Sequence, residues 1–398
     1  MKLRKKLYLW WLWIACMLII LPMIVGCSGN ALPSNETSST FLKLLKLQPG
    51  TAISTAIQGH TYIVMNDFAK VRDIYGIPLP TSNDESDIEN YTMAIFDADH
   101  SLATPGPGFS YTWGSGFDTH YLQEPAYSIR SNNVGYSPSD VDAFIESEIG
   151  LGLIGNFNPQ ATQTDFNQKT GWPQWVKDNY ITENYQNVTI NSWGDASILH
   201  LLDRFAPPDL DQLGRAHPLA VMQTNVFFSS TAANIKSMID ANVGKSTSMA
   251  DDPKYASVAK GLSELGAYSA IINDDIIGPG LTNFDALKKS DMGTAPLLQP
   301  YVALGSGEGK GGKGVYLAVV LVYNNKKSAT DNARILQTRI EQGLYTNGIA
   351  SITWKQTFTD SQISVEGNMI LTKLYGSILS QWGSPETIPF SYPLFLHE

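Results

Sequence analysis

The nine residues Val315–Tyr323, VYLAVVLVY, form an unbroken apolar run rich in β-branched and aromatic side chains. A short run of this composition is typical of a strand that is buried on both faces of a sheet. Apolar residues then recur at helical spacing from Ala329 to Ile340, before Gly343. Ser328 and Asp331 have capping-box spacing, which predicts that this helix starts at Ser328. A strand followed by a helix is the first indication of the fold class.

The ten residues Gly305–Gly314, before this strand, read GSGEGKGGKG. Gly307, Gly312 and Lys313 fit the G-x-x-x-x-G-K spacing of a phosphate-binding loop. Gly314, however, occupies the position where that motif needs Ser or Thr to reach a metal. A strand follows, whereas a phosphate-binding loop leads into the N-terminus of a helix. We therefore interpret the segment as a flexible hairpin loop.

Strand and helix signals alternate through the rest of the chain, which predicts an α+β fold with mixed or antiparallel sheets and helices packed on them. The predicted strands are residues 61–66 and 149–157, with a one-sided strand at 363–371. One predicted helix starts at Ser139 and places Val141, Phe144 and Ile145 on one face. Others start at Pro159 and at Pro253, the latter capped by Asp252 and ended by Gly266.

Two strand–helix–glycine units recur at similar offsets. The segment from Tyr62 resembles the one from Asn225, and the segment around Phe157 resembles the one around Tyr323, with offsets of 163 and 166 residues. We interpret this as an internal duplication into two α+β halves, residues 41–205 and 206–398. Prolines 207 and 208 would mark the seam between them.

The amino terminus has the pattern of an export signal. Four cations occur within Met1–Lys6, and the run Leu7–Val25 carries no charge. At ~1.5 Å per helical residue this run nearly spans a ~30 Å hydrocarbon core, so an uncleaved signal anchor is an alternative. The run ends in Ile24-Val25-Gly26-Cys27.

This quartet resembles the lipobox of bacterial lipoproteins. The resemblance implies that residues 1–26 are a signal peptide cut before Cys27, and that Cys27 carries diacylglycerol and a further acyl chain such as palmitate. It also implies a lipid anchor on the extracytoplasmic face of a cell membrane, in the cell envelope. Residues 27–40 are small and polar, which predicts a flexible tether. The amphipathic segment Phe41–Leu47 is predicted to pack as a first helix, the alternative being that it lies on the membrane interface.

Composition excludes several classes of function. The two cysteines, Cys16 and Cys27, lie in or directly after the apolar run, so a processed chain has no free thiol, disulfide or Cys-ligated metal. The formal net charge of −10 becomes about −14 once the four cations of the signal are removed. An acidic surface repels nucleic acid and anionic lipid headgroups. We therefore expect no nucleic-acid partner and no cofactor, with the lipid alone holding the protein at the membrane.

Two clusters are candidate binding sites. The sequences DADH and FDTH bring together oxygen and imidazole ligands suited to a hard metal, although turn aspartates more often bind backbone groups. The candidate metal ligands are Asp97, Asp99, His100, Asp118 and His120. Aromatic side chains in and beyond the same Gly/Pro-rich segment suggest a ligand-facing surface, although such residues more often pack. The candidate ligand-binding residues are Phe109, Tyr111, Trp113, Phe117, Trp172 and Trp175.

Ser257 and Lys260 match the S-x-x-K motif of penicillin-binding proteins and serine β-lactamases. Segments 131–133 and 169–171 resemble the other two motifs of those enzymes, but S-x-x-K comes last here instead of first. No catalytic residue is therefore assigned.

The sequence favours a non-enzymatic lipoprotein that binds a small molecule, glycan or protein in the envelope, or that has a structural role. The alternative is a cell-envelope hydrolase using carboxylate/His or Ser–Lys chemistry. Such an enzyme predicts convergent titratable groups in a cleft, whereas a binding module predicts an aromatic groove.

Overall fold

One long antiparallel sheet organises the computed structural model. The structure describes residues 39–50, 62–82, 84–98, 134–195, 197–203, 206, 214–273, 296–346, 351–376 and 393–395. The strands are β1 Tyr62–Asp67, β2 Val141–Ser147, β3 Gly150–Gly155, β4 Ile181–Tyr185, β5 Val188–Ser192, β6 Leu219–Val221, β7 Asn225–Phe228, β8 Ser269–Asn273, β9 Ala303–Gly311, β10 Gly314–Val322, β11 Leu344–Thr346, β12 Ser351–Thr353, β13 Asp360–Glu366 and β14 Met369–Tyr375. Twelve of them form the sheet, in the order β13-β14-β10-β9-β8-β1-β2-β3-β7-β6-β5-β4, and β11 and β12 pair separately.

Helices cover both faces of this sheet. They are α1 Thr40–Leu45, α2 Phe68–Tyr75, α3 Glu85–Ala98, α4 Pro159–Gln168, α5 Gln174–Asn179, α6 Ala232–Asn242, α7 Pro253–Leu265, α8 Lys326–Gln342 and α9 Trp354–Thr357. Helices α1, α6 and α7 share a core with one face, whereas α2 to α5 and α8 pack on the other. The predicted α+β class with antiparallel pairing is confirmed. No helix in these ranges is long and apolar enough to cross a bilayer.

Several predicted elements are confirmed by their caps and burial. The apolar run forms β10, an interior strand between β9 and β14. Helix α7 starts after the Asp252 cap and ends at Gly266, which adopts a left-handed conformation. Helix α1 packs as predicted, because Phe41, Leu44 and Leu45 are buried. It starts inside the predicted tether, at Thr40, because Ser39 caps it.

The glycine-rich segment is a strand, and its interpretation as a flexible loop is wrong. Residues up to Gly311 belong to β9, and the turn consists of residues 312–313 alone. A Cβ at Gly305 would lie 2.1 Å from Cγ1 of Val258 on α7, and one at Gly309 would lie 2.5 Å from the Tyr316 ring. These glycines therefore allow close packing on the strand, which is a known use of glycine inside sheets.

Tyr316 gives the fold a measurable dependence on alkaline pH. Its hydroxyl donates to the Leu265 carbonyl at 2.5 Å. Burial, with a smaller contribution from Tyr375, raises the pKa of Tyr316 to about 12. The unfolded chain loses this proton near pH 10 and so binds fewer protons than the folded chain above that pH, which lowers stability as pH rises.

We expect Tyr316→Phe to remove the part of the alkaline loss of stability that Tyr316 causes, which amounts to about 2 kcal/mol of the free energy of unfolding by pH 12. Denaturant unfolding at pH 8 to 11.5 should show a shallower alkaline decline for the variant than for the wild type. At neutral pH the variant should be less stable by about 1 kcal/mol, because the carbonyl loses its donor. If stability fell equally steeply with pH in both proteins, the raised pKa of Tyr316 would be contradicted, since the other tyrosines titrate in both.

Three local predictions are wrong for identifiable reasons. Residues 141–147, predicted as helix, form β2, and Ser139 lies in a short 3-10 turn. Both faces of β2 are buried, so its apolar residues do not alternate. Helix α8 is capped by Asn325 and not by Ser328, whose N–H donates to the Asn325 side chain at 2.9 Å. The strand predicted at 363–371 is a hairpin of β13 and β14.

The structure does not confirm the duplication. Strand β1 pairs with β2 and β8, whereas its predicted counterpart β7 pairs with β3 and β6. Pairs β1–β8, β3–β7 and β5–β6 each join a strand of residues 41–205 to one of residues 206–398. The proposed boundary therefore runs through a single sheet.

Candidate functional site

Most of the predicted site residues belong to the segment between α3 and β2. Asp97 belongs to α3, but its side chain is not among those described. Outside the described residues lie Asp99, His100, Phe109, Tyr111, Trp113, Phe117, Asp118 and His120. The metal site therefore stays a prediction. Within the described ranges, no three His, Cys, Asp or Glu side chains come together as a metal site.

Trp172 belongs to the core, and its prediction as a ligand-facing residue is corrected. It is 4% exposed and lies in an aromatic cluster formed by Phe166, Trp172, Tyr180 and Trp193. The ring centroid of Phe166 lies 5.5 Å from those of Trp172 and Trp193, both in edge-on geometry. Such contacts stabilise a core and leave no face for a ligand.

Trp175, three residues later on α5, is half-buried and contacts a surface loop. Its indole stacks on the His200 imidazole, with centroids 3.7 Å apart and planes 11° from parallel. Its Nε1–H donates to Oδ2 of Asp203 at 2.8 Å. Trp175 therefore holds the loop of residues 197–203 against the body of the protein.

This segment, named here the apolar loop, comprises residues 197–203. The Asp203 N–H donates to the His200 carbonyl at 2.8 Å, and the Ile198 N–H donates to the Asp195 carbonyl at 3.1 Å. The Ser197 N–H donates to the Asp195 carboxylate at 2.8 Å. Hydrogen bonding from the Ser197 side chain, and then from this N–H, lowers the pKa of Asp195. The large apolar side chains of the loop are nevertheless exposed: Ile198, Leu199, Leu201 and Leu202.

The apolar loop was not predicted from the sequence. Its signal is the run SILHLLD, four large apolar residues around one histidine, shortly before the two prolines at 207–208. A run beside such a break is a candidate for an exposed turn, although apolar residues usually indicate a core.

The S-x-x-K pair does not have the geometry of a catalytic serine and lysine. The Ser257 hydroxyl donates to the Pro253 carbonyl at 2.6 Å, within its own helix. Lys260 Nζ lies 3.5 Å from Glu264 and 3.4 Å from Glu366, and the negative charge of Glu264 raises the pKa of this lysine. A lysine base needs a lowered pKa and contact with its nucleophile. The described geometry therefore argues against Ser–Lys chemistry here.

A polar cluster around Glu308 is fully buried and is not exposed to solvent. Glu308 on β9 has no exposed surface and accepts a hydrogen bond from the Tyr268 hydroxyl. Its N–H donates to the Ser269 hydroxyl at 2.9 Å, and Tyr268 contacts the Tyr75 hydroxyl at 3.1 Å. This chain of hydrogen bonds lies where β8 and β9 meet, so it connects elements of the core. Among the described residues, the apolar loop carries four of the eight exposed large apolar side chains, and such clustering is typical of an interaction surface.

Comparison with known proteins gives little further guidance. No family model matches the chain, and no curated protein matches it. Two crystal forms of the treponemal protein TP0453 are similar in structure at 10% identity. Form III has a TM-score of 0.33, covering 84% of this chain and 93% of TP0453, and form I has 0.28, covering 86% and 94%. Both scores lie below 0.5, too low to establish a shared fold, and no family membership follows.

Proposed function

We propose that the protein is a lipid-anchored envelope protein of bacteria, whose globular domain acts by binding or scaffolding on the extracytoplasmic side of a membrane. One observation carries this proposal, the order of three signals at the amino terminus. A cationic segment is followed by the uncharged run Leu7–Val25 and then by the quartet ending at Cys27. Two or three acyl chains hold a protein firmly, whereas one chain alone binds marginally.

The position of the first helix limits how far an anchored domain could lie from the bilayer. Ser39 caps α1, twelve residues after Cys27. A chain of this length spans at most about 40 Å when fully extended, and about 19 Å on average when flexible. An anchor at Cys27 therefore keeps the domain close to the bilayer, where its partners would be other envelope components.

The described domain fits a binding or scaffolding role better than Ser–Lys catalysis. Its sheet is covered on both faces by helices, and the Ser257 hydroxyl is engaged within α7. A small molecule, glycan or protein is the proposed class of partner. The aromatic residues at 109–117 and the Asp/His group at 97–120 remain the proposed contacts for it.

The test is to follow processing of Cys27→Ser in a bacterial host that makes lipoproteins. We expect wild-type protein to lose residues 1–26 and gain the mass of two or three acyl chains, whereas Cys27→Ser stays uncut and unacylated. Cys16→Ser is the matched control, because it removes the other thiol of the apolar run and should be processed like wild type. Intact-protein mass spectrometry measures all three. Normal cleavage of Cys27→Ser, or an uncut and unacylated wild-type chain, would defeat the proposal.

A further inference from the structure

The apolar loop is part of a larger apolar corner. Leu202 is fully exposed, and Ile198, Leu199 and Leu201 are each more than half exposed. Ile181, 66% exposed, starts β4 and pairs with Ser192, at the end of β5 from which the chain enters the loop. Of the eight large apolar side chains exposed within the described ranges, four lie in the loop and Ile181 follows the helix α5 on which the loop packs; these five are called here the apolar corner. Clustered exposure of this kind marks an interaction surface, whereas scattered exposure is ordinary.

The loop is held in place with its polar groups turned inward. His200 and Asp203 both contact Trp175, so the two titratable side chains among residues 197–203 face the protein. Close packing fixes the same region, since a Cβ at Gly214 would lie 2.1 Å from the His200 carbonyl oxygen. The usual arrangement, with apolar side chains inside and polar ones outside, is thus inverted. The leucines of the loop are exposed to water, while His200 and Asp203 hold the loop to the body of the protein.

The chemistry of the corner favours a lipid partner. Membrane-interfacial segments bury leucines and aromatic residues at the boundary between headgroups and acyl chains. The exposed side chains of the loop carry no charge that such a boundary would have to desolvate, and Asp203 is already hydrogen-bonded to Trp175. Since residues 197–203 include no lysine or arginine, the attraction of the loop to lipid would be apolar and would not require anionic headgroups.

We propose that the apolar loop inserts into the headgroup–acyl boundary of the bilayer that carries the anchor. This inference rests on the proposed function, because the anchor supplies the bilayer. Helix α1, where the tether ends, contacts β3, and β5 lies three strands farther along the sheet. Three strand spacings amount to ~15 Å along the sheet. Because α1 and α5 lie on opposite faces, the separation also includes two packed layers of about 10 Å each, which gives about 25 Å in total, within the ~40 Å reach of the tether. The loop would then be a second membrane contact, beyond the lipid that the sequence indicated as the sole one.

The experiment uses the full-length chain with Cys16→Ser and Cys27→Ser, so that an added cysteine is its one thiol. Leu202→Cys is labelled with the environment-sensitive fluorophore NBD, and the protein is reconstituted through its uncut apolar run into phosphatidylcholine vesicles. Val243→Cys is the matched control, because Val243 is an exposed apolar residue at the end of α6, away from the corner. Equal thermal melting of the two labelled proteins checks that neither change disturbs the fold.

We expect the label at 202 to shift to the blue and to lose at least about half its intensity to a lipid-borne quencher, whereas the label at 243 does neither. Equal aqueous behaviour of the two labels would overturn the proposal. A blue shift at 202 without quenching from the lipid would also overturn it, because protein would then cover the loop. Both native thiols are absent, so this result is independent of lipidation, which the processing of Cys27→Ser tests separately.

Discussion

Gly307→Ala should lower the free energy of unfolding by about 3 kcal/mol, which is large for the addition of one methyl group. A Cβ at Gly307 would lie 2.0 Å from the carbonyl oxygen of Ser269 and 3.0 Å from its carbonyl carbon. Those atoms belong to the backbone of β8, which is itself paired with β1. Relief of this clash therefore requires movement of the central strand β8, because a change of side-chain rotamer cannot move backbone atoms. Denaturant unfolding of the full-length protein in mild detergent measures the difference.

Gly312→Ala is the matched control for this variant. It makes the same chemical change five residues later, in the β9–β10 turn, where an added Cβ meets nothing within 4 Å. Surface changes of this kind usually alter stability by no more than about 0.5 kcal/mol. Equal effects of the two substitutions would show that β8 and β9 do not approach closely at Gly307.

Phe166→Ala should cost about 4 kcal/mol, because it removes the ring at the centre of the aromatic cluster. Phe166 is fully buried and contacts Trp172, Tyr180 and Trp193 edge-on. The cluster connects α4 to the segments before β4 and after β5, so its loss leaves a large cavity beneath α5. Thermal and denaturant unfolding, followed by near-ultraviolet circular dichroism of the tryptophans, would report both stability and packing.

Phe166→Leu provides the comparison, because it keeps much of the buried volume and removes the ring contacts. We expect it to cost about 1 to 1.5 kcal/mol, consistent with an exchange between large apolar side chains. A neutral Phe166→Ala would contradict the buried position of the cluster and would reopen the prediction that Trp172 faces a ligand.

The fold could be predicted where local and tertiary signals agree. The apolar run at 315–323 allows one interpretation, and Asp252 and Gly266 mark the ends of α7 by the backbone groups that they satisfy. Local sequence signals and tertiary structure disagree at β2 and β9. In β2 both faces are buried, so apolar spacing resembles that of a helix. In β9 glycine serves close approach to α7 and Tyr316, which the sequence cannot distinguish from flexibility because the contacts come from distant residues.

The candidate site was less predictable for a related reason. Trp172 and Trp175 look equivalent in the sequence, yet one is buried in the aromatic cluster and the other stacks on His200. The apolar loop has the composition of a core segment, yet its four large apolar side chains are exposed. Exposure depends on which neighbours tertiary structure supplies, and that information is not local.

The pairing of β1 with β8 has a consequence for how the chain is made. Strand β1 ends at Asp67 and its partner β8 begins at Ser269, so about two hundred residues must be synthesised before the centre of the sheet can close. Contacts between residues so far apart in the sequence slow folding. Until they form, the open edge of a strand can pair with other chains. If the chain is exported as proposed, this topology favours its crossing the membrane before the sheet closes. Until β8 is made, β1 lacks one of its two partner strands, so the incomplete sheet would depend on protection from aggregation.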